Sequence, residues 1–151
     1  MMFTRNIGED DGMILYELAK KNKPLDVHTP YTYWVIAKYF GNTSFLMFDD
    51  GRPIGYITSV YNGQKLLIWQ ICVSEEYRGK NYAQSLIDLV FEQALNLELS
   101  VEVAISDDNG ASKAAFEKYC KEHDLKMDKN GTVKFQSPES TEIIYRINPS
   151  R

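Results

Sequence analysis

The sequence predicts a mixed α/β (α+β) protein, a mixed sheet with helices on both faces. Two observations carry this. Strand patterns joined by tight turns, the second turn holding Asn62-Gly63, read as a hairpin meander. An apolar strand, a long amphipathic helix and a further strand then follow in that order.

Each element has its own local reason. Phe3-Thr4-Arg5-Asn6-Ile7 alternates as a short strand. From Asp11 to Lys21, Met13, Ile14, Tyr16 and Leu18 gather on one side of a helical pattern. Residues 23–30 form a loop punctuated by Pro24 and Pro30. Pro30 suits a first helical position, and Tyr31 to Phe40 reads as a helix stopped at Gly41-Asn42. Ser44 to Phe48 and Pro53 to Tyr61 are strands around the turn Asp49-Asp50-Gly51-Arg52. Leu66 to Val73 has one polar residue in eight, so both of its faces are expected to be covered. In the helix that follows, Ala83, Leu86, Ile87, Val90, Phe91, Ala94 and Leu95 form a continuous apolar stripe. Leu99 to Ile105 is a strand, and Asp107-Asp108 is expected to cap a helix from about Asn109 to Glu122. Val133 to Phe135 and Glu142 to Ile147 are the last strands. No repeat or linker interrupts the chain, so residues 1–151 are expected to be a single domain.

Composition narrows the function. A chain of 151 residues can bury a core without disulfide or metal staples. At 44% hydrophobic and 25% charged it is neither disordered nor fibrous, and ten tyrosines supply core and pocket walls. Lys and Arg number 17 against 21 Asp and Glu, a net charge of −4, which argues against nucleic acid and suits a cationic small molecule. Two cysteines, Cys72 and Cys120, make no disulfide framework and read as reduced, buried residues rather than nucleophiles. No apolar run approaches the roughly 20 residues that span a bilayer, and the N-terminal segment lacks the apolar core of a signal peptide. A soluble cytoplasmic protein with no membrane contact is expected.

Chemistry concentrates where the apolar strand meets the long helix, in Val73-Ser74-Glu75-Glu76-Tyr77-Arg78-Gly79-Lys80-Asn81-Tyr82-Ala83. A loop with Arg78, Gly79 and Lys80 runs into a helix N-terminus, whose unpaired N–H groups and positive dipole end favour an anion. Gly79 permits close backbone approach. A phosphate or pyrophosphate fits; an ordinary solvated connection fits as well, and these residues alone leave both open. Neither G-x-x-x-x-G-K-[ST] nor G-x-G-x-x-G is present, and metal or serine-hydrolase signatures are missing, so no metal is expected.

Arg78-Gly79-Lys80-Asn81-Tyr82-Ala83 resembles the [QR]-x-x-G-x-[GA] pyrophosphate loop of the GNAT N-acetyltransferases, with Asn81 standing where the second glycine is usual. Asn tolerates the left-handed backbone that glycine adopts there. Four further segments resemble the diaminobutyrate acetyltransferases of ectoine synthesis. They are Leu25-Asp26-Val27-His28-Thr29-Pro30-Tyr31-Thr32-Tyr33, Ile68-Trp69-Gln70-Ile71-Cys72-Val73, Asp108-Asn109-Gly110-Ala111-Ser112 with Phe116, and Glu142-Ile143-Ile144-Tyr145-Arg146-Ile147. The resemblance covers essentially the whole chain. It implies a GNAT-type fold, a mostly antiparallel twisted sheet splayed open at an acetyl-CoA site, and a homodimer.

The resemblance also implies roles. Acetyl-CoA, as co-substrate, would lie against Ile71, Cys72, Val73, Arg78, Gly79, Lys80, Asn81, Tyr82, Ala83, Asn109, Ser112 and Phe116. A backbone N–H of the apolar strand, at Ile71 or Val73, would face the thioester oxygen. Phe116 stands where many family members carry an acidic tyrosine, so that role is empty or filled by another group or water; Tyr119, one turn on, reads better as a core aromatic. The amine substrate would meet Asp26 and Glu142, with Glu142 also able to act as base, and Tyr31, Tyr33 and Trp69 as walls. His28 and His123 read as an exposed loop residue and a helix-end residue. His28-Thr29 replaces Asn-Ser, and Glu139 falls where a histidine often precedes the last strand. These departures leave another small diamine or amino acid as the alternative substrate, and Asn81 with Phe116 leaves a non-catalytic acyl-CoA sensor as the alternative class.

Overall fold

The computed structural model describes residues 1–22, 25, 27–136 and 139–150. Its elements are β1 (Met2–Asn6), α1 (Gly12–Lys21), α2 (Pro30–Phe40), β2 (Phe45–Asp49), β3 (Arg52–Tyr61), β4 (Lys65–Val73), α3 (Tyr82–Asn96), β5 (Ser100–Ser106), α4 (Gly110–Glu122), β6 (Leu125–Gln136) and β7 (Glu139–Pro149). The order agrees with the expected one. One sheet runs β1-β2-β3-β4-β5-β7-β6. Every neighbouring pair is antiparallel except β4 and β5, the pair joined through α3.

Helices cover both faces, as expected. On one, Leu15 and Leu18 of α1 and Tyr33 and Ala37 of α2 pack on Leu46, Phe48, Tyr56 and Cys72. On the other, α3 and α4 bury Leu86, Ile87, Val90 and Phe116 against Ile54, Ile57, Leu66 and Ile68. The α3 stripe ends at Ala94; Leu95 is 79% exposed. Twelve residues beyond Ala83, it has rotated by about 120° around a 3.6-residue helix.

Helix starts follow capping chemistry. Thr29 Oγ1 accepts from Thr32 N–H at 3.3 Å, with Pro30 in the first turn of α2. The cap of α4 is Asn109, whose side chain accepts from Ser112 N–H at 3.1 Å. This corrects the expectation for Asp107-Asp108: Asp108 instead accepts from the Ser106 hydroxyl at 2.7 Å.

Two strands differ from their sequence reading. β6 spans twelve residues, where only Val133 to Phe135 carries an apolar signal. It is an edge strand, mostly exposed, held by its ladder to β7, and that pairing leaves little trace in a polar sequence. In β4 burial alternates instead of covering both faces: Leu66, Ile68, Gln70 and Cys72 are buried while Leu67, Trp69, Ile71 and Val73 are half-buried.

Candidate active site

A bulge in β4 creates the site. Thr58 pairs with Gln70 and Ser59 with Ile68, which leaves Trp69 as the extra residue. The Gln70 N–H donates to Thr58 Oγ1 at 3.2 Å, and the Thr58 hydroxyl donates to the Gln70 carbonyl at 3.3 Å. Before the bulge, Leu66 and Ile68 join the α3/α4 core; beyond it, Ile71 and Val73 do. Cys72 belongs to the α1/α2 core, and Trp69 packs against it.

The same stretch has a free edge. β4 pairs with β5 only from Lys65↔Ser100 to Ile68↔Val103, whereas β5 continues along β7 to Ser106↔Glu142. Past Ile68 the two parallel strands part. The N–H groups of Gln70 and Ser74 point to β3, so by strand alternation those of Ile71 and Val73 point into the gap. Hydrogen-bonding groups with no ladder partner are left there for a ligand.

On the α3/α4 side the gap opens into a cleft of about 430 Å³. Arg78, Gly79, Asn81, Tyr82 and Ala83 form one wall, Asn109 and Ser112 the other, and Ile71, Cys72 and Val73 the floor. Gly79 (φ +75°) and Asn81 (φ +66°) both adopt the left-handed conformation, so Asn81 does supply the backbone that a second glycine would. Asn81 stands at the N-cap of α3 without a capping side-chain bond, and the first bond of that helix is Ser85 N–H to the Asn81 carbonyl at 3.2 Å. The preceding N–H groups form the positive end of the helix at the cleft wall. Arg78 Nε donates to the Val73 carbonyl at 2.9 Å, which ties the loop to the end of β4. Tyr77 anchors the turn before it, donating to Asp49 Oδ2 at 2.7 Å and accepting from Arg52 Nη2 at 2.8 Å.

Within the gap lies a narrow cavity of about 40 Å³, lined by Ile68, Val103, Ile105 and Phe116 of the α3/α4 core and by residues of the opposite face. Ile71, Asn109, Ser112 and Leu25 border both spaces, so the two adjoin. Ile143, Tyr145 and Ile147 of β7 turn to the α3/α4 core, which places Glu142 on the opposite face of the sheet. There Glu142 borders the cavity together with Trp69, Gln70 and His28. The His28 ring lies 4.7 Å from Trp69 and 6.5 Å from Tyr33, centroid to centroid. Beneath them Gln70 Oε1 accepts from the Tyr56 hydroxyl at 2.7 Å and the Tyr33 hydroxyl at 3.1 Å. Tyr33 Oη in turn accepts from the His28 N–H at 3.3 Å, which fixes the loop before α2. Burial pushes both tyrosines up from their ordinary pKa, Tyr56 furthest, so they remain hydroxyl donors.

The remaining expected residues are dispersed. Lys80 does not border the cleft; its Nζ lies over the Tyr77 ring at 5.8 Å. Phe116 is buried and borders the narrow cavity rather than the cleft. Tyr31 is 72% exposed, packs at a tilt against Trp34 with ring centroids 5.6 Å apart and borders neither space. Two residues apart on α2, Tyr31 and Tyr33 point about 200° away from one another. Asp26 lies outside the described residues, and so does the side chain of Glu139. Tyr119 is a core residue, donating to Asp88 at 2.9 Å. Burial pushes the Cys72 thiol up to about 12 and the Cys120 thiol up to about 11, so neither is a thiolate nucleophile at neutral pH.

Two residues of this region escaped sequence reasoning. Gln70 had a signal: a lone amide in an apolar strand needs buried partners. Lys118 borders the cleft from α4, beyond Ala111, Ala114 and Ala115 at helical spacing, a small-residue face that leaves room for a ligand.

The comparisons agree with this geometry. Residues 13–121 match the model of the acetyltransferase (GNAT) family. The chain is 32% identical to an L-2,4-diaminobutyric acid acetyltransferase of Streptomyces anulatus, over 93% of this chain and 85% of the relative. It is also 32% identical to one of Vibrio parahaemolyticus, over 91% and 80%. Among solved structures, the diaminobutyrate acetyltransferase of Paenibacillus lautus in complex with L-2,4-diaminobutyric acid and coenzyme A superposes with a TM-score of 0.86 at 23% identity, covering 100% of this chain and 96% of that one. This chain belongs to the acetyltransferase (GNAT) family.

Proposed function

We propose that this chain is an acetyl-CoA-dependent N-acetyltransferase that moves acetyl to the N4 side-chain amine of L-2,4-diaminobutyrate, as in ectoine biosynthesis. The observation that carries the reading is the gap between β4 and β5. It sets a cleft walled by the loop before α3 beside a cavity bordered by Glu142, His28 and Trp69. A thioester delivered from one side meets an amine held on the other.

In this reading the pyrophosphate lies on the loop Arg78-Gly79-Lys80-Asn81 and the first N–H groups of α3, at Tyr82 and Ala83. The pantetheine arm runs along the free edge of Ile71, Cys72 and Val73 opposite Asn109 and Ser112. The Ile71 N–H faces the thioester oxygen, a donor worth about 3 kcal/mol in the transition state. Trp69, with Tyr33 behind it through Gln70, walls the amine pocket. Glu142 receives an ammonium group and takes its proton; Asp26, assigned by resemblance alone, receives the second. A free alkyl amine is neutral in only about one part in 10³ at pH 7, a cost of roughly 4 kcal/mol that a base must offset. Positioning supplies up to about 7–11 kcal/mol. The neutral amine then attacks the carbonyl carbon, the C–S bond breaks, the CoA thiolate leaves, and the new amide nitrogen gives its surplus proton to solvent water. Phe116 donates no proton, and the thiolate leaves without one. We place the enzyme in the cytoplasm as a single domain, on its composition and unbroken element pattern, and as a homodimer, on family resemblance.

CoA release followed with a thiol reagent tests this reading, with diaminobutyrate, ornithine, lysine and polyamines as acceptors. Turnover is expected with diaminobutyrate above the others. Turnover of another amine alone would overturn the substrate; tight CoA binding with no turnover would overturn the enzymatic reading. Light scattering checks the dimer.

A further inference from the structure

We propose that Lys118 is a phosphate-contacting residue of the acyl-CoA site, and that Asn81 holds it in position. The inference rests on the acetyl-CoA reading and goes beyond the loop that this reading uses.

Lys118 lies on α4, across the cleft from the loop, and its Nζ donates to Asn81 Oδ1 at 2.8 Å. Both residues border the cleft. An ammonium has three donors, and one is committed to Asn81. Among the described residues no carboxylate lies within ion-pair distance of Lys118. Its charge is therefore available to an anion in the cleft.

The departure at Asn81 gains a purpose from this contact. With a negative φ, an asparagine N-cap turns its oxygen onto the first N–H groups of its own helix, as Asn109 (φ −96°) does toward Ser112 at 3.1 Å. Asn81 is left-handed and makes no such bond, so its oxygen reaches Lys118 instead. The first turn of α3 stays open to an anion, and a second cation is brought to the same place from another element. A glycine at this position would keep the backbone but lose the tether. Lys118 is exposed, so its replacement leaves the core intact.

The test compares acetyl-CoA with acetyl-pantetheine, which lacks every phosphate, using the full chain and Lys118→Met, Asn81→Gly and the double variant. Lys118→Met is expected to weaken CoA binding and raise the acetyl-CoA KM about tenfold, or ~1.4 kcal/mol. kcat and the acetyl-pantetheine kcat/KM should both stay within about twofold of wild type. Asn81→Gly is expected to weaken CoA binding by about threefold. In that background the Lys118→Met effect should shrink to about threefold, because an untethered ammonium contributes less. Equal losses with acetyl-CoA and acetyl-pantetheine would mean a structural role and overturn the proposal, as would unchanged CoA binding in Lys118→Met. Strictly additive effects would overturn the Asn81 tether. Wild-type protein that binds no CoA would overturn the acyl-CoA reading along with this proposal, whereas tight wild-type binding untouched by Lys118→Met would overturn this proposal alone.

Discussion

Replacing Gln70 by Leu isolates the buried network under the amine pocket. The substitution keeps side-chain volume and removes the one oxygen that accepts from both Tyr33 (3.1 Å) and Tyr56 (2.7 Å). Tyr33 and Tyr56 are 0% exposed and Gln70 8%, so neither hydroxyl gains water in exchange. A buried donor left unsatisfied costs about 1–3 kcal/mol. Tyr33 keeps the His28 N–H as a neighbour, but that group is itself a donor and cannot receive the hydroxyl proton. One hydroxyl can still donate to the other's oxygen, since Tyr33 and Tyr56 are hydrogen-bond neighbours, so one stranded donor predicts a loss of roughly 2 kcal/mol, or a Tm fall of about 4–8 °C for a domain of this size. Urea unfolding and calorimetry read the loss. The Tyr33→Phe, Tyr56→Phe, Gln70→Leu triple variant removes the donors together with the acceptor and should be more stable than Gln70→Leu alone. The His28 loop and Trp69 sit on this network, so the amine KM should rise more than the acetyl-CoA KM. A Gln70→Leu variant within about 0.5 kcal/mol of wild type, or a triple variant less stable than the single one, would falsify this account.

Other consequences follow from the same geometry. Glu142→Gln is expected to lower kcat by about 10²–10⁴-fold with little change in acetyl-CoA KM, and to remove the acidic limb of the pH–rate profile; an unchanged profile excludes Glu142 as base. Arg78→Ala should raise the acetyl-CoA KM several-fold and leave the amine KM within about twofold, because Arg78 lies on the cleft side of the gap. Steady-state kinetics on both substrates decides it. Asp11 is desolvated, which raises its pKa, but the bidentate Arg5 guanidinium (2.6 and 3.1 Å) and the Gly8 N–H (2.6 Å) outweigh this and hold the carboxyl below its ordinary value. A depressed folded-state pKa contributes stability that is complete above the unfolded value near 4 and is lost as pH falls through the lower folded value. Asp11→Asn should be less stable than wild type at pH 7, with the difference narrowing below about pH 4; a difference independent of pH would refute the linkage.

Much of the site was readable because the chain keeps it in short segments. Arg78, Gly79, Asn81, Tyr82 and Ala83 are consecutive or nearly so, and a glycine-bearing loop entering an amphipathic helix is a local pattern. Asn109 and Ser112, one turn apart, are likewise local. Tyr31 borders neither space because it sits two residues, about 200° of helix, from Tyr33. The Lys80 side chain lies over Tyr77 instead of in the cleft, since neighbours in a left-handed loop diverge. The α4 cap was misassigned by one residue because Asp107, Asp108 and Asn109 have similar capping chemistry, and only the path of the backbone out of β5 chooses among them.

Sequence alone determined the element order, the mixed sheet with helices on both faces, the glycine-bearing loop that enters α3 and the resemblance to a diaminobutyrate acetyltransferase. Those are properties of local pattern: hydrophobic period, turn residues and consecutive motif positions. Tertiary structure decided the rest, because it depends on partners distant in the chain. The Trp69 bulge exists only in register against Thr58 and Ser59, and it sends Ile71 and Val73 to one face and Cys72 to the other. The gap exists only because β4 follows β3 while β5 follows β7. The contact of Lys118 with Asn81 joins residues 37 positions apart. No window of sequence contains those pairs, and the active site is built from them.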